Sequence, residues 1–123
     1  MLRDKKKDEE ITINAFLGNK TNFTGTLVFD GIVRIDGFFK GNIVSSDTLV
    51  IAKGANVEAD VETSVVKISG NFKGTIKAKS IVELFKPAVV EGTIITQALK
   101  VEEGVILNGS VNMAKNEDKG VEQ

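Results

Sequence analysis

The chain has 123 residues, with 16 Lys or Arg against 17 Asp or Glu, so its formal net charge is −1. This near balance argues against a nucleic-acid binder, which needs a broad basic surface. The chain contains no cysteine, which excludes disulfides and thiolate metal sites. No apolar run approaches the ~20 residues that a membrane-spanning helix requires. The length predicts one domain flanked by short tails.

The first ten residues mix charges of both signs and carry almost nothing to bury. Such a segment cannot offset the entropy lost on ordering, which predicts a flexible N-terminal tail over residues 1–15. It also lacks the apolar core of ~7–15 residues that a secretory signal contains. A second charged segment predicts a flexible C-terminal tail over residues 114–123, so the folded domain is expected to span residues 16–113.

A five-residue pattern, apolar-x-Gly-x-apolar, recurs along most of this domain. The six copies are Phe23–Leu27, Phe39–Ile43, Val57–Val61, Phe72–Ile76, Val90–Ile94 and Leu107–Val111. Their central positions lie 16, 18, 15, 18 and 17 residues apart, and only Ala59 replaces the glycine. A repeat of this period, in a chain rich in Val, Ile and Thr, indicates a solenoid of stacked β coils.

Each repeat continues with a second apolar pair and then a turn residue. The pairs are Val33/Ile35, Leu49/Ile51, Val66/Ile68, Val82/Leu84 and Leu99/Val101, and the turn residues are Gly37, Gly54, Gly70, Pro87 and Gly104. Alternation predicts strands with one buried face, and the turn residues predict corners. Six coils stacked ~4.8 Å apart would form a rod about 30 Å long. A β-sandwich also uses short strands, but it does not repeat one unit at one period.

Apolar positions that recur in every coil predict two buried columns. The first includes Phe39, Phe72 and Val90, and the second includes Ile43, Ile76 and Ile94. Because each fully buried large apolar side chain contributes ~1.5–3 kcal/mol, the columns can sustain a small domain. The glycine between the columns is expected at a narrow corner where a Cβ atom would crowd the neighbouring coil, and Ala59 indicates that this space is tight but not closed.

Two segments carry a resemblance to a known family. The run Phe29–Ile43 reads FDGIVRIDGFFKGNI, and the later run Gly70–Ile76 reads GNFKGTI. These strand-Gly-strand segments are similar to those of bactofilins, and the resemblance extends over residues 16–113. It implies an all-β fold, a right-handed parallel β-helix of about six triangular coils. This handedness agrees with the general rule for parallel crossovers.

The resemblance also implies a function. Bactofilins are bacterial cytoskeletal scaffolds that polymerise end to end into non-polar filaments, without nucleotide or another cofactor. They act in the cytoplasm, commonly at the cytoplasmic face of the inner membrane, in cell shape or in localising cell-wall proteins. The partners implied for this chain are other copies of itself, inner-membrane lipid, and cell-wall or morphogenesis proteins. The resemblance implies a structural protein and not an enzyme.

The ends of such a β-helix are the expected functional surfaces. An uncovered end exposes apolar core and unpaired backbone groups, and most solenoids cover it with a capping segment. No capping helix is predicted here, and the polymer-interface residues expected at the two ends are Phe16, Leu17, Phe23, Leu27, Leu107, Val111 and Met113. The alternatives are tails that fold over the ends to give a monomer, or a monomeric or dimeric adaptor that binds a protein partner along its flat faces.

Catalysis has little support in the sequence. The chain contains no histidine, so the usual imidazole base is missing. The uneven repeat spacing departs from the strict hexapeptide register of β-helical acyltransferases, which leaves that class as a lesser alternative. Carboxylates such as Glu58, Asp60 and Glu91 alternate with apolar residues and are therefore expected on the solvated surface. No catalytic, cofactor-binding or metal-binding residue is predicted.

The first seven residues form a candidate membrane-binding peptide. Met1 and Leu2 are expected to insert into lipid, while the cations Arg3, Lys5, Lys6 and Lys7 meet anionic headgroups. Each cation near the surface adds ~1 kcal/mol, and a filament that displays many copies gains avidity. The acidic run at residues 8–10 favours the alternative, a solvated tail.

Overall fold

The computed structural model describes residues 15–113, and all regular secondary structure in this range is β-strand. The strands are β1 (Ala15–Leu17), β2 (Asn22–Phe29), β3 (Ile32–Ile35), β4 (Phe38–Ser45), β5 (Thr48–Ile51), β6 (Asn56–Ile68), β7 (Asn71–Leu84), β8 (Val89–Val101) and β9 (Ile106–Asn112). The predicted tails, apart from residue 15, lie outside the described residues.

The strands pair in parallel and in register from one coil to the next. β1, β3, β5, β6, β7, β8 and β9 form one series, and β2 joins it through β4. Each residue therefore lies beside its equivalent in the neighbouring coil, as Phe39 does beside Val57. The result is a parallel β-helix of about six turns, which confirms the all-β solenoid predicted from the repeat.

The strand segments form three faces. Face A consists of residues 22–25, 38–41, 56–59, 71–74, 89–92 and 106–109, each ending at the central glycine or alanine. Face B consists of residues 26–29, 42–45, 60–63, 75–78, 93–96 and 110–112. Face C consists of residues 15–17, 32–35, 48–51, 65–68, 81–84 and 98–101.

The core is built from stacked inward-pointing side chains. The residues expected in the two columns, Phe39, Phe72, Val90, Ile43, Ile76 and Ile94, are all at most 3% exposed. Face C adds two further columns that include Val33, Leu49, Ile51, Val66, Ile68 and Val82. At the first coils the rings of Phe23 and Phe39 stack with centroids 5.1 Å apart. The in-register ladder thus places like residues on like residues through the whole interior.

The unequal spacing of the repeats arises at the corners. The corner between faces B and C holds two residues in most coils but only one, Ser64 or Gln97, in two of them. The corner between faces C and A is either a two-residue step or a four-residue turn. The two-residue steps are 36–37 and 69–70, and the four-residue turns are 18–21, 52–55, 85–88 and 102–105. Because only the corners change length, the columns stay in register.

This division corrects the predicted equivalence of the turn residues. Gly54 and Gly104 occupy the third position of four-residue turns, where the fourth N–H donates to the first carbonyl. Pro87 occupies that same third position, after a cis peptide bond. Gly37 and Gly70 instead end two-residue steps and align with the last residue of the longer turns. Proline therefore replaces glycine at one class of corner, and not at both.

The central glycines lie where the coils approach most closely. Gly41, Gly74, Gly92 and Gly109 have φ between 127° and 143°, a region that other residues rarely adopt. A Cβ atom at any of them would lie against the backbone carbonyl of the equivalent residue in the preceding coil. The crowding predicted from the sequence is therefore present. Ala59 fits because its φ is not positive, so backbone conformation and not free space admits the methyl group.

Two buried threonines close the shortest corners. Thr63 and Thr96 are at most 3% exposed, and each precedes a one-residue corner. Their hydroxyls donate to the carbonyl oxygens of Val65 and Ala98, both at 3.2 Å. A buried hydroxyl needs such a partner to offset its desolvation. The hydrogen bond spans the corner and so supports the sharper reversal there.

Candidate functional site: the two ends of the β-helix

The first end of the β-helix exposes part of the apolar interior. Strands β1 and β2 pair only on the side of β3 and β4 among the described strands, so their other edges carry unpaired backbone groups. Leu17, Phe23 and Leu27 point inward and are half-buried, packed against the core on one side only. Three of the four residues expected at this end therefore come together on one surface.

Phe16 does not join that surface. It alternates with the inward-pointing Ala15 and Leu17, pairs with Arg34, and is 59% exposed on the outside of face C. Its ring lies near the turn at Gly18 instead. The sequence placed Phe16 at the correct end of the domain, but alternation within a three-residue strand places its side chain outward.

At the last end, faces A and B extend one segment beyond face C. Strand β9 covers faces A and B of the preceding coil, whereas face C stops at residues 98–101 of β8. Leu107 is half-buried, Val111 is 38% exposed and Met113 is 48% exposed. Val101 points toward the core in register with Leu84, yet it is 47% exposed because no further face C segment within residues 15–113 covers it.

Sequence reasoning missed several members of these two surfaces. Phe29 and Ala15 line the first end, and Leu99, Val101 and Val105 line the last. Leu99 and Val101 were recognised as a strand pair, but they lie at the end because face C comes before faces A and B in the last turn, and no later face C segment within residues 15–113 covers them. The order of the faces within the last repeat, rather than the number of repeats, would have identified them.

A bidentate ion pair lies on face C near the first end. Nε of Arg34 donates to Asp36 Oδ1 at 2.6 Å, and a terminal guanidinium nitrogen donates to Oδ2 at 3.0 Å. The hydrogen bond to Asp36 raises the pKa of Arg34, and the charge of the carboxylate adds to it. The guanidinium of Arg34 therefore stays charged at neutral pH. The pair joins face C to the corner that follows it and is partly exposed, so we assign it a structural role.

The rest of the surface formed by residues 15–113 was compared with a metal site, a cleft and a phosphate-binding loop. Among residues 15–113, no three His, Cys, Asp or Glu side chains converge as metal ligands. The depressions on the faces are open to solvent, and one of them lies on face A between Asn56, Asn71 and Val89. The segment Gly18–Thr21, whose sequence resembles the end of a phosphate-binding loop, forms one of the four-residue turns.

The candidate membrane-binding peptide precedes the part of the chain that the structure describes. Met1, Leu2, Arg3, Lys5, Lys6 and Lys7 all lie outside the described residues. Within residues 15–113, no helix is long and apolar enough to cross a membrane.

Comparisons with known proteins agree with this architecture. The family model described as bactofilin, polymer-forming cytoskeletal, matches residues 15–112. Among solved structures, the cytoskeletal bactofilin BacA, determined by solid-state NMR, is similar with 27% sequence identity and a TM-score of 0.72. The match covers 85% of this chain and 98% of BacA. No curated protein matches the chain.

Proposed function

The chain belongs to the bactofilin family, and from this premise we propose that it is a bacterial cytoskeletal scaffold that polymerises end to end. The observation that carries the proposal is the pair of open ends, each with half-exposed core side chains and unpaired strand edges. Contact between two ends removes apolar surface from water and covers the edges. The filament axis is then the axis of the β-helix.

The magnitudes favour assembly that depends on concentration. Full burial of a large apolar side chain contributes at most ~1.5–3 kcal/mol, and Leu107, Val111 and Val101 are already partly covered. Association costs about 4–15 kcal/mol in lost translational and rotational freedom. The gain exceeds this cost only if several core residues and the backbone edges contribute together, so one charge buried in the end contact should suffice to prevent growth.

The apolar side chains at both ends belong to the fold itself and do not depend on a bound ligand. This supports polymerisation without nucleotide. The family resemblance implies head-to-head and tail-to-tail contacts, in which the first end meets a first end and the last end meets a last end. Filaments of that kind have no polarity. The same resemblance implies a place at the cytoplasmic face of the inner membrane and a role in cell shape or in localising cell-wall proteins.

A non-enzymatic role fits the chemistry of the surface. No group of three or more His, Cys, Asp or Glu side chains that could hold a metal ion occurs within residues 15–113, and histidine is absent from the sequence. The second candidate function is a monomeric or dimeric adaptor that binds a protein partner along a flat face. Filament growth with rising protein concentration separates the two candidates, because an adaptor would stay small.

The test is electron microscopy in negative stain of the wild-type chain beside a Leu107→Arg variant. An arginine at this position would be buried without a partner in an end contact, which costs several kcal/mol. We expect filaments from the wild-type chain and none from the variant. The matched control is Asn108→Arg, because Asn108 is the exposed neighbour of Leu107 on the same strand. The control should form filaments while adding the same charge.

The size of the Leu107→Arg particle tests polarity in the same experiment. In a non-polar filament the first ends still meet, so the variant should sediment as a dimer. In a polar filament every contact uses the last end, and the variant should sediment as a monomer. A wild-type chain that stays monomeric at high concentration would contradict the scaffold and favour the adaptor.

Membrane association is tested with anionic liposomes. The full chain and a variant without residues 1–10 are sedimented with vesicles, and only the full chain should pellet if the N-terminal peptide binds lipid. Raised salt should weaken the pelleting, because the cations act through screened charge. Equal pelleting of both chains would rule out the peptide as the membrane anchor.

A further inference from the structure

Face A carries a column of exposed side chains in which the charge alternates from coil to coil. Because the coils pair in register, equivalent outward residues lie directly above one another. In chain order the column next to the central glycine reads Thr24, Lys40, Glu58, Lys73, Glu91 and Asn108. The order of charges is therefore cation, anion, cation, anion, between two neutral ends.

This order is complementary to itself when it is reversed. Two copies can face each other through face A with their helix axes antiparallel, related by a two-fold axis along the strands, between the coils of Glu58 and Lys73. Lys40 of each copy then faces Glu91 of the other, and Glu58 of each faces Lys73 of the other. With the axes parallel, a two-fold axis through the charged column would place every charge opposite its own kind, and one through the centre of the face would leave the charges opposite the uncharged column. The charges thus favour the antiparallel arrangement and oppose the parallel one.

The second outward column of face A fits the same two-fold axis. It reads Asn22, Phe38, Asn56, Asn71, Val89 and Ile106 in chain order. Reversal brings the exposed ring of Phe38 against Val89, and the amide of Asn56 against that of Asn71. Within one chain Asn71 Nδ2 already donates to Asn56 Oδ1 at 2.9 Å, which holds both amides at the centre of the face. Apolar and amide contacts therefore coincide with the four charge pairs.

We propose that face A is a lateral contact surface that joins two copies of this chain with antiparallel helix axes. Face B is a weaker match, because its outward residues include only three charges, Asp60, Glu62 and Lys77, and Asp60 would face the neutral Thr75. The occupant of face A is a second copy of the chain, since no other partner is needed to satisfy the charge order.

The small area of face A determines where this contact operates. Six strands ~4.8 Å apart and four residues of ~3.3 Å each give roughly 400 Å² per copy. A stable complex buries about 800 Å² per partner, so two isolated copies pair weakly. A filament repeats the face along its length, and the contacts then add. Lateral pairing at low concentration therefore rests on the proposed end-to-end polymerisation. The geometry of the contact does not depend on it.

The alternating charges also act within one chain, and a test must separate the two effects. Neighbouring coils place Lys40, Glu58, Lys73 and Glu91 about one strand spacing apart, where unlike charges stabilise a sheet. The double variant Glu58→Lys with Lys73→Glu places two cations and two anions side by side within the column. It therefore weakens the internal pattern while preserving the complementarity of the reversed column.

The experiment counts paired and single filaments by electron microscopy. Lys73→Glu alone should abolish pairing and leave single filaments, and the double variant should restore it. Lys77→Glu, which makes the same change on face B, should leave pairing unaltered. If the double variant stays unpaired, or if Lys73→Glu still pairs, the lateral contact is not the one proposed. Single filaments from the wild-type chain would overturn this contact and leave the scaffold function intact.

Cross-linking decides the geometry even without filaments. The chain has no cysteine of its own, so Lys40→Cys and Glu91→Cys each carry one thiol. Facing sheets lie about 10 Å apart, beyond the reach of a disulfide, so a short bis-maleimide is the probe. At high concentration we expect a cross-linked dimer from the mixture and none from either variant alone. Dimers from one variant alone, or none from the mixture, would overturn the proposal, whereas absence of filaments would count only against the proposed function.

Discussion

The middle and terminal coils of this β-helix are built from the same unit but differ in burial. In one column of face B, Val61 is 2% exposed in the middle of the molecule and Val111 is 38% exposed in the last coil. In one column of face C, Leu84 is 1% exposed and its neighbour in the next coil, Val101, is 47% exposed. The side chains are similar, and the presence of a further coil makes the difference.

This contrast bears on the proposed assembly of the chain, because residues that are covered in a middle coil are open in a terminal coil. A middle coil is covered on both sides, so its apolar residues stabilise the fold of the single chain. A terminal coil has the same residues with one side open, so they contribute fully only when another copy covers them. In the proposed filament, the same sequence pattern would serve folding in one place and association in the other, and matched substitutions in the two places should separate these roles.

The largest expected effect comes from the central glycines. Gly92→Ala adds a Cβ atom against the backbone carbonyl of Gly74 at a positive φ, so we expect a loss of at least about 3 kcal/mol in the free energy of unfolding. Gly25→Ala in the first coil has the same kind of φ, but among residues 15–113 its Cβ would meet only the ring of Phe23. Chemical denaturation should show a clearly smaller loss for Gly25→Ala. Equal losses would mean that backbone strain alone, and not the neighbouring coil, dictates glycine.

The next effect compares two valines in one column. Val61→Ala removes two buried methyl groups and should cost about 2 kcal/mol of unfolding free energy, without changing the ends. Val111→Ala should cost less than about 1 kcal/mol in the single chain because the side chain is partly exposed.

Filament assembly should reverse the order of these two variants. Val111→Ala is expected to raise the protein concentration at which filaments appear, whereas Val61→Ala should leave it unchanged under conditions where the chain is folded. Light scattering against concentration measures both. If the two variants assemble alike, the last coil is not a polymer contact.

A smaller effect is expected at the one-residue corners. Thr63→Val keeps the shape of the side chain but removes the hydroxyl that donates to the Val65 carbonyl, so about 1 kcal/mol of stability should be lost. Thr24→Val on the exposed side of face A is the control and should change stability by less than about 0.5 kcal/mol. Thermal unfolding of the two variants measures the difference. A stable Thr63→Val variant would show that the corner closes without this hydrogen bond.

The smallest effect is expected from the ion pair on face C. Arg34→Ala should cost less than about 1 kcal/mol, and the cost should shrink in high salt, because the pair is partly exposed. Asp36 raises the pKa of Arg34, so the stability contributed by this cation is present at neutral pH and is lost only as the pH rises through the raised value. Denaturation across the neutral range should therefore show no pH dependence from this pair.

The fold could be read from the sequence because each coil repeats one pattern of apolar positions. The positions of Val57 and Val61 illustrate this, since each holds an apolar residue in every coil and both valines are buried. The corners were harder to predict from the sequence, because glycine occurs in two different kinds of turn and only the pairing register distinguishes them. Gly37 and Gly54 look alike in the sequence and yet occupy corners of different length.

The ends were predicted only in part for a related reason. A repeat finder treats each unit as complete, whereas the three faces begin and stop at different coils. Val101 lies at the last end because face C stops there, and no property of the residue itself indicates this. Phe16 looks like an end residue by composition, but alternation within β1 turns it to the outside.

The uneven corners determine how this chain can be compared, altered and labelled. In an alignment of two such sequences, gaps belong at positions such as Ser64 or Lys53–Gly54, and a gap inside a face would be an error. A one-residue insertion within a face would exchange the inward and outward side chains of the rest of that segment, whereas one at a corner only lengthens a loop. Lys53 and Gly54, the exposed residues of the turn at 52–55, are therefore a suitable place for an epitope tag or a fluorescent domain in the middle of the proposed filament subunit.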